Sequence, residues 1–480
     1  MTKFLSILWR FIKSHKGIII ALLIISYVLA ACLPYIQQGK ASKSTINSFS
    51  IADYYSDDTS CDRACILFSN EDALTERLRL INNAKDEIIL SSFDFHADKS
   101  GKLVLASLID AANRGVKVNV LIDGVSYFTN SKNRAYFTAL GSMDNATIKI
   151  YNPLNALKPH KGMARMHDKY LIADNSCYIL GGRNTYDYFL GEGNGYKNYD
   201  WDVLVYNSTD SNNSSIYQIR EYYESVWNLK DCKIKCNSTD VFNKSKVEKA
   251  RKELDTLYSN SINNNEDWYN AIDYNSITYK TNNIKLLSNP INSSVKEPVL
   301  FYNMTELMLE ADGDIDFHTP YIIANNYMTS RLKMICDSDK DVTMMTNSVA
   351  NNGNPFGAAD YKAHKNNLLK TGVHIIEYDS GVSYHGKCFT IGDRLTGVGS
   401  FNWDMRSAYL DTELMLVIDS NELNTSMQTY MATYEADALS VNFDGSYELR
   451  DNQTPSILSG KRKQRINLIS PFIDLLRYLM

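Results

Sequence analysis

Hydrophobic positions fall into three regimes along the chain. The first is an unbroken run: residues 17–36 carry twenty positions without a charge, enough to cross the hydrocarbon core of a bilayer as a helix. After it, residues 41–60 are polar and expected to form a flexible stalk. The second regime is periodic. Ala73, Leu74, Leu78, Leu80 and Ile81 make a stripe at helical spacing within 71–84, and Ile88-Ile89-Leu90 reads as a buried strand. A helix over 103–113, closed by Arg114-Gly115, leads to strands over 116–122 and 147–151. The same alternation returns later: helices over 306–311, 331–336 and 361–370 interleave with extended segments over 314–318, 321–323, 342–345 and 373–378. Helix and strand in alternation predict an α/β layered architecture, and its return predicts an internal repeat. The third regime is the stretch between: 237–297 is rich in Asn, Ser, Asp and Lys, with one helical segment over 245–258. It reads as a connector over the surface. The expected divisions are 1–40, 41–236, 237–297 and 298–480.

Charge gives the apolar run an orientation. Lys3, Arg10, Lys13 and Lys16 precede it, whereas Lys40 and Lys43 are soon followed by Asp53, Asp57 and Asp58. The positive-inside bias then keeps the amino terminus cytoplasmic and exports the body of the chain. A cleaved secretory signal competes with this anchor. So does lipoprotein processing, because Leu29-Ala30-Ala31-Cys32 is similar to the bacterial lipobox. The expected location is the cell membrane, as a single pass. Over the whole chain the net charge is −5, with no long basic stripe, which argues against a nucleic-acid partner.

Cysteine usage follows the compartment. Cys61 and Cys65 form one close pair, Cys232 and Cys236 another. In the cytosol four such residues would suggest zinc, although zinc sites favour tighter spacing. Outside the membrane they read as disulfides of unspecified connectivity. Cys177 and Cys388 sit in apolar runs and read as core residues.

The candidate chemistry occurs twice, 218 positions apart. The first copy is His167-Asp168-Lys169, then Asp174, then Gly181-Gly182-Arg183-Asn184. The second is His385-Gly386-Lys387, then Gly399-Ser400-Phe401-Asn402. In both, the lysine stands twelve residues before the first glycine and fifteen before the asparagine. A phosphodiester repels anionic nucleophiles, so a neutral imidazole suits the attack and two lysines offset charge in the transition state. The second histidine can protonate the leaving alcohol and later take a proton from the incoming one. Asn184 and Asn402 can donate to the phosphoryl oxygens, while Gly182 and its neighbours let the backbone approach. This chemistry requires no metal and no cofactor. Each histidine also needs a partner on its second ring nitrogen. Asp202 and Glu413, each just ahead of an apolar run, are the expected carboxylates. His96 and His318 follow matching strands and are expected to border the cleft; His160, His364 and His374 read as surface or core residues. Arg183 reads as a phosphate contact or a solvent-facing cation.

These motifs resemble those of the phospholipase D superfamily, and within it bacterial cardiolipin synthase-like members, over most of 72–210 and 299–420. The resemblance implies two similar α/β sandwich domains with the active site at their interface, preceded here by a transmembrane helix. It also implies that His167, Lys169, Asn184, Asp174, His385, Lys387, Ser400 and Asn402 belong to the site, with Asp174 a scaffold. One departure stands out: the position equivalent to Asp174 is Gly392, and the aspartate comes one later, at Asp393. That favours His167 as nucleophile and His385 as acid and base. The expected reaction is phosphatidyl transfer between two phosphatidylglycerols, giving cardiolipin and glycerol, with phospholipid and membrane as partners. The rivals are a hydrolytic phospholipase D, a secreted nuclease and a non-enzymatic scaffold. The tail, with Lys461, Arg462, Lys463 and Arg465 ahead of Ile466, Leu468, Ile469, Phe472, Leu475 and Leu476, is expected either to rest on anionic lipid or to dock as a terminal helix.

Overall fold

In a computed structural model, the chain describes residues 13–193, 195–238, 243–451 and 453–480. Lys3 and Arg10 of the basic flank, and 239–242 of the connector, lie outside the described residues. Two nine-stranded mixed sheets dominate. The first is built from β1 (Asp62–Leu67), β2 (Glu87–Ser92), β3 (Lys117–Asp123), β4 (Ala146–Tyr151), β5 (Lys169–Ala173), β6 (Cys177–Gly181), β7 (Asp202–Asn207), β8 (Cys232–Lys235) and β9 (Tyr279–Lys280). The second is built from β10 (Asn283–Ser288), β11 (Ile315–His318), β12 (Val342–Asn347), β13 (His374–Tyr378), β14 (Cys388–Ile391), β15 (Leu395–Gly399), β16 (Leu414–Asp419), β17 (Leu439–Val441) and β18 (Tyr447–Glu448).

The orders are β9-β1-β7-β6-β5-β2-β3-β4-β8 and β10-β16-β15-β14-β11-β12-β13-β17-β18. Leaving aside the outer strands β9 and β18, the two orders match strand for strand. Their pairing matches as well: β2-β3-β4 and β11-β12-β13 are parallel, whereas β5, β6 and β7, like β14, β15 and β16, run antiparallel. The repeat legible in the motifs is thus a repeat of the whole fold.

Period-two alternation divides each strand between two cores. In β2, Ile88 and Leu90 join the helix-covered core of the first half, and Ile89 faces the opposite way. In β16, Met415 and Val417 face the helices of the second half, while Leu414, Leu416 and Ile418 face inward. The inward residues of both sheets merge into one apolar core between the halves. The helix expected over 71–84 runs from Asn70 to Asn83, where Ser69 accepts from Asp72 N at 2.9 Å and Asp72 reaches back to Ser69 N. Such a cap contributes about 1 kcal/mol.

Three expectations change, and the tail takes one of its two expected forms. The connector is more than a surface strap: its expected helix runs over Lys244–Asn264, and the chain then gives β9 to the first sheet and β10 to the second. The stalk is packed rather than free, with Tyr54 buried against the second half and Thr45 N–H and Oγ1 held by Ser42 and Glu297. The tail is docked: Ile466 and Ile473 are buried with Ala358 and Ala359, and Arg406 N donates to Met480 O at 2.6 Å. Finally, no disulfide joins Cys61, Cys65, Cys232 and Cys236. Six strands lie between β1 and β8, about 34 Å at normal strand spacing. Within each pair, four residues of extended chain hold the Cα atoms about 13 Å apart, beyond disulfide reach. The same separation rules out a zinc site built from the four.

Helix Lys16–Cys32 contains no buried residue, and the segment 16–35 is the one described helical stretch long and apolar enough to cross a membrane. Its far end is fixed to the body by Tyr35, which is buried and donates from Oη to His160 O at 2.7 Å.

Candidate active site

Both motif histidines sit at the inner ends of equivalent strands. His167 enters β5 and His385 enters β14, and the segments before them cross the interface. Residues 198–199 pair in parallel with 383–384, and Met166 bridges to Thr412. His167 N donates to Thr412 O at 3.2 Å; His385 N donates to Tyr199 O at 2.6 Å. Each imidazole is therefore pinned by the opposite half of the chain.

The carboxylates are exchanged in the same way. His167 Nδ1 lies 2.9 Å from Glu413 Oε1, and His385 Nδ1 lies 2.5 Å from Asp200 Oδ2. With Nδ1 engaged, Nε2 is the nitrogen available to a substrate. Phe93 meets the His167 ring edge-on at 5.1 Å, and Phe189 meets His385 at 5.0 Å. Both histidines and Asn184 line a single cleft of about 340 Å³ between the halves, walled by Tyr186, Tyr188 and Tyr321. Larger or comparable hollows elsewhere contain neither histidine.

Lys169 and Lys387 are buried behind the imidazoles, each donating from Nζ to the carbonyl of its own motif histidine. Burial brings Lys169 down to about 7, with Glu413 opposing, and lowers Lys387, with Asp200 opposing. A phosphodiester anion at the cleft would supply the counter-charge that favours both ammonium forms. The asparagines occupy equivalent places. Asn184 Oδ1 accepts from Asp94 N at 3.2 Å, and Asn402 donates to Tyr321 Oη at 3.3 Å.

Electrostatics separates the two histidines. Burial, then Lys169, holds His167 well below the ordinary imidazole range. Burial pushes its partner Glu413 up to about 8, opposed by Lys169, Ser400 and Ser407, so this pair favours uncharged forms. At the other pair burial raises Asp200, but Lys387 and His385 outweigh it and hold the carboxyl at about 2. His385 is brought down to about 4 by burial and Lys387, with ionised Asp200 opposing. Only one imidazole thus faces a firmly anionic partner.

Asp202 is not a histidine partner, and the expectation is corrected. Its carboxylate lies 2.9 Å from Arg77 and 3.4 Å from Arg183, all three fully buried. The backbone register gives the reason. Gly182 N donates to Trp201 O, and the equivalent Ser400 N donates to Leu414 O, so Asp200 and Glu413 are the structural counterparts. Arg183 likewise reaches neither the cleft nor solvent; it is buried and binds Asn70 Oδ1 and the carbonyls of Leu67 and Phe68. Gly182 is required by Asp200, since a Cβ there would lie 2.2 Å from its Oδ1. Ser400, at the matching position, instead donates to Glu413 Oε2, while Ser407 Oγ donates to Oε1 at 2.6 Å.

Asp174 is remote from the cleft. At φ +53° it turns the β5–β6 hairpin and accepts from the N–H groups of Lys85, Asp86 and Glu87 at 2.8–2.9 Å. Gly392 makes the same left-handed turn at φ +54°, and its N–H donates to Asp314 O as that of Asp174 does to Glu87 O. Here the backbones close up: a Cβ on Gly392 would meet Asp312 O at 2.8 Å, and one on Gly313 would meet Gly392 Cα at 2.5 Å. The departure replaces a side-chain strut with direct backbone contact and leaves the second half-site undisturbed. His96 stacks on Tyr186 at the cleft wall, whereas His318 is buried away from it, between Tyr384 Oη and Glu435.

A family model described as "Cardiolipin synthase, PLD-like domain" matches residues 78–227 and 304–434, one stretch in each half. The chain belongs to this cardiolipin synthase family. Family membership makes it a phospholipase D-type phosphatidyltransferase. Within that family, it is 25% identical over 402 residues to cardiolipin synthase C of Escherichia coli, covering 75% of this chain and 82% of that one. An uncharacterized protein of Helicobacter pylori is 24% identical over 395 residues, covering 74% and 76%. In fold the chain is similar to the crystal structure of phosphatidylserine synthase from Haemophilus influenzae. The TM-score is 0.60 at 16% identity, covering 87% of this chain and 95% of that one.

Sequence reasoning missed Asp200, Ser407, Phe93 and Phe189. Phe93 and Asp94 sit at the end of β2, where a strand meets a loop, and that position was the available signal.

Proposed function

We propose that the protein is a membrane-anchored cardiolipin synthase, transferring a phosphatidyl group from one phosphatidylglycerol to a hydroxyl of another and releasing glycerol. The observation that carries this reading is the pairing of each motif histidine with a carboxylate of the opposite half, in a chain of this family. Neutral His167 attacks phosphorus through Nε2. The bond from phosphorus to the glycerol oxygen breaks as His385, raised to its imidazolium form by the bound phosphodiester anion together with Asp200, gives that oxygen its proton. The hydroxyl of a second phosphatidylglycerol then yields its proton to His385, and a new P–O bond forms as the P–N bond to His167 breaks. Lys169, Lys387, Asn184 and Asn402 stabilise the charged phosphoryl oxygens. Anionic Asp200 favours the imidazolium at His385, and Glu413, pushed towards its neutral form, favours uncharged His167. That contrast supports the division of roles.

The bare apolar surface of helix Lys16–Cys32 supports anchoring, which would hold the cleft beside the headgroups and raise effective lipid concentration. Lys13 and Lys16, ahead of the apolar run, support a cytoplasmic amino terminus and an exported body. The test is purified enzyme with headgroup- and acyl-labelled phosphatidylglycerol. Cardiolipin with free glycerol is expected; phosphatidic acid in its place would make water the acceptor and the protein a hydrolase.

A further inference from the structure

A second polar hollow, of about 320 Å³, lies on another face and shares no lining residue with the catalytic cleft. Its charged lining is Lys158, Lys161, Arg165 and Lys233 against a single acid, Asp231. That acid is already occupied: Lys161 Nζ reaches both of its oxygens at 2.8 and 2.9 Å, and Ser293 Oγ donates to it at 2.6 Å. Lys158 and Lys233 are exposed. Arg165, by contrast, is 3% exposed. Its Nε donates to Ala164 O at 2.7 Å and its Nη2 to Asn152 O at 2.9 Å. Its Nη1 makes no hydrogen bond but forms a buried ion pair with Asp123 Oδ1 at 3.5 Å. Asp231 balances Lys161 and Asp123 balances Arg165, so Lys158 and Lys233 leave the hollow an excess of positive charge, which favours an oxyanion.

Its position narrows the source of that anion. The turn Pro159–Lys161 packs against helix Lys16–Cys32, and Tyr35 Oη bonds His160 O, so the hollow opens beside the end of the apolar helix. On its rim Leu157 is 90% exposed and Leu154 is 46% exposed. Cations inside and bare leucines at the mouth suit a molecule with a phosphate head and an acyl tail.

We propose that this hollow binds the phosphate headgroup of an anionic phospholipid in the bilayer that holds the apolar helix, as a site separate from the catalytic cleft. Lys158 and Lys233 hold the phosphate, and Leu154 and Leu157 dip towards the acyl chains. The inference rests on the membrane reading of helix Lys16–Cys32 and not on the transfer reaction.

The test uses the full chain in nanodiscs of phosphatidylcholine, with and without phosphatidic acid, and reads amide hydrogen exchange over 152–165. Exchange there should slow about fivefold with phosphatidic acid. The exposed double variant Lys158→Glu/Lys233→Glu should lose that slowing while protection of β5 and β14 stays unchanged. No slowing in the native chain, or equal slowing in the variant, would overturn the site. Millimolar inorganic phosphate in pure phosphatidylcholine discs should not reproduce the effect; if it does, lipid is not the ligand. Because no turnover is read, failure here and failure of the transferase reading are separable by the product assay.

Discussion

At the residue scale the two histidines are chemically unequal although their motifs are alike. Under the proposed roles, His385→Ala leaves attack by His167 possible on a substrate with a good leaving group, but removes the base needed to release the intermediate. Labelled substrate should therefore leave acid-labile phosphate on His385→Ala and none on His167→Ala. Label mapped to His385 in the His167→Ala protein would reverse the roles. Asp200 gives a pH test. Its negative charge raises the pKa of His385, so its loss lowers that pKa and shortens the range in which His385 carries its proton. Asp200→Asn should move the alkaline limb of the kcat/KM profile to lower pH and cost about 10²–10⁴ in rate. An unmoved limb would remove His385 from the acid's role. The histidines, lysines and asparagines were legible because their spacing repeats. Asp200 was not: it and Asp202 stand two apart, on one side of the chain, and only the hydrogen-bond ladder from Gly182 and Ser400 distinguishes them.

At the scale of elements, local pattern sufficed wherever a strand or helix answers to its own neighbours. The stripe within 71–84 and the run at Ile88-Ile89-Leu90 were readable because the residues they bury are close in sequence. β9 and β10 were not, since a polar connector becomes strand only by joining β1 and β16, which are distant in sequence. The Gly392 departure also resolves at this scale, as a hairpin turn meeting backbone in place of an aspartate strut. Asp202 belongs here too, for it ties β7 to the helix Asn70–Asn83 through Arg77. Asp202→Ala leaves Arg77 and Arg183 buried without their counter-charge and should destabilise the protein by about 3–5 kcal/mol. The variant that still folds should keep the native pH profile, in contrast to Asp200→Asn. A displaced alkaline limb would show that Asp202 acts on the histidine after all.

For the whole molecule, the exchange of carboxylates means that neither half contains a finished site. His167 depends on Glu413, and His385 on Asp200, so the repeat works only when its copies face each other. What holds them face to face is the apolar core shared between the sheets, where Ile89, Tyr170 and Leu180 of one half pack with Leu414, Leu416 and Ile418 of the other. Burial of that surface is the dominant favourable term in their association, and it predicts that the halves unfold together. Leu416, 1% exposed on β16, tests this, because its side chain faces the shared core rather than the helices of its own half. Leu416→Ala removes buried methyl groups and leaves a cavity, costing about 2–5 kcal/mol. If the core joins the halves, the loss should lower one cooperative transition, seen at the same denaturant concentration by exchange at β2 and at β12. Were the halves independent, the second would unfold early and the first would keep its native midpoint, and two separated transitions would appear. That outcome would confine the interface to the site itself, with Glu413 and Asp200 positioned by too little buried surface to keep them in register.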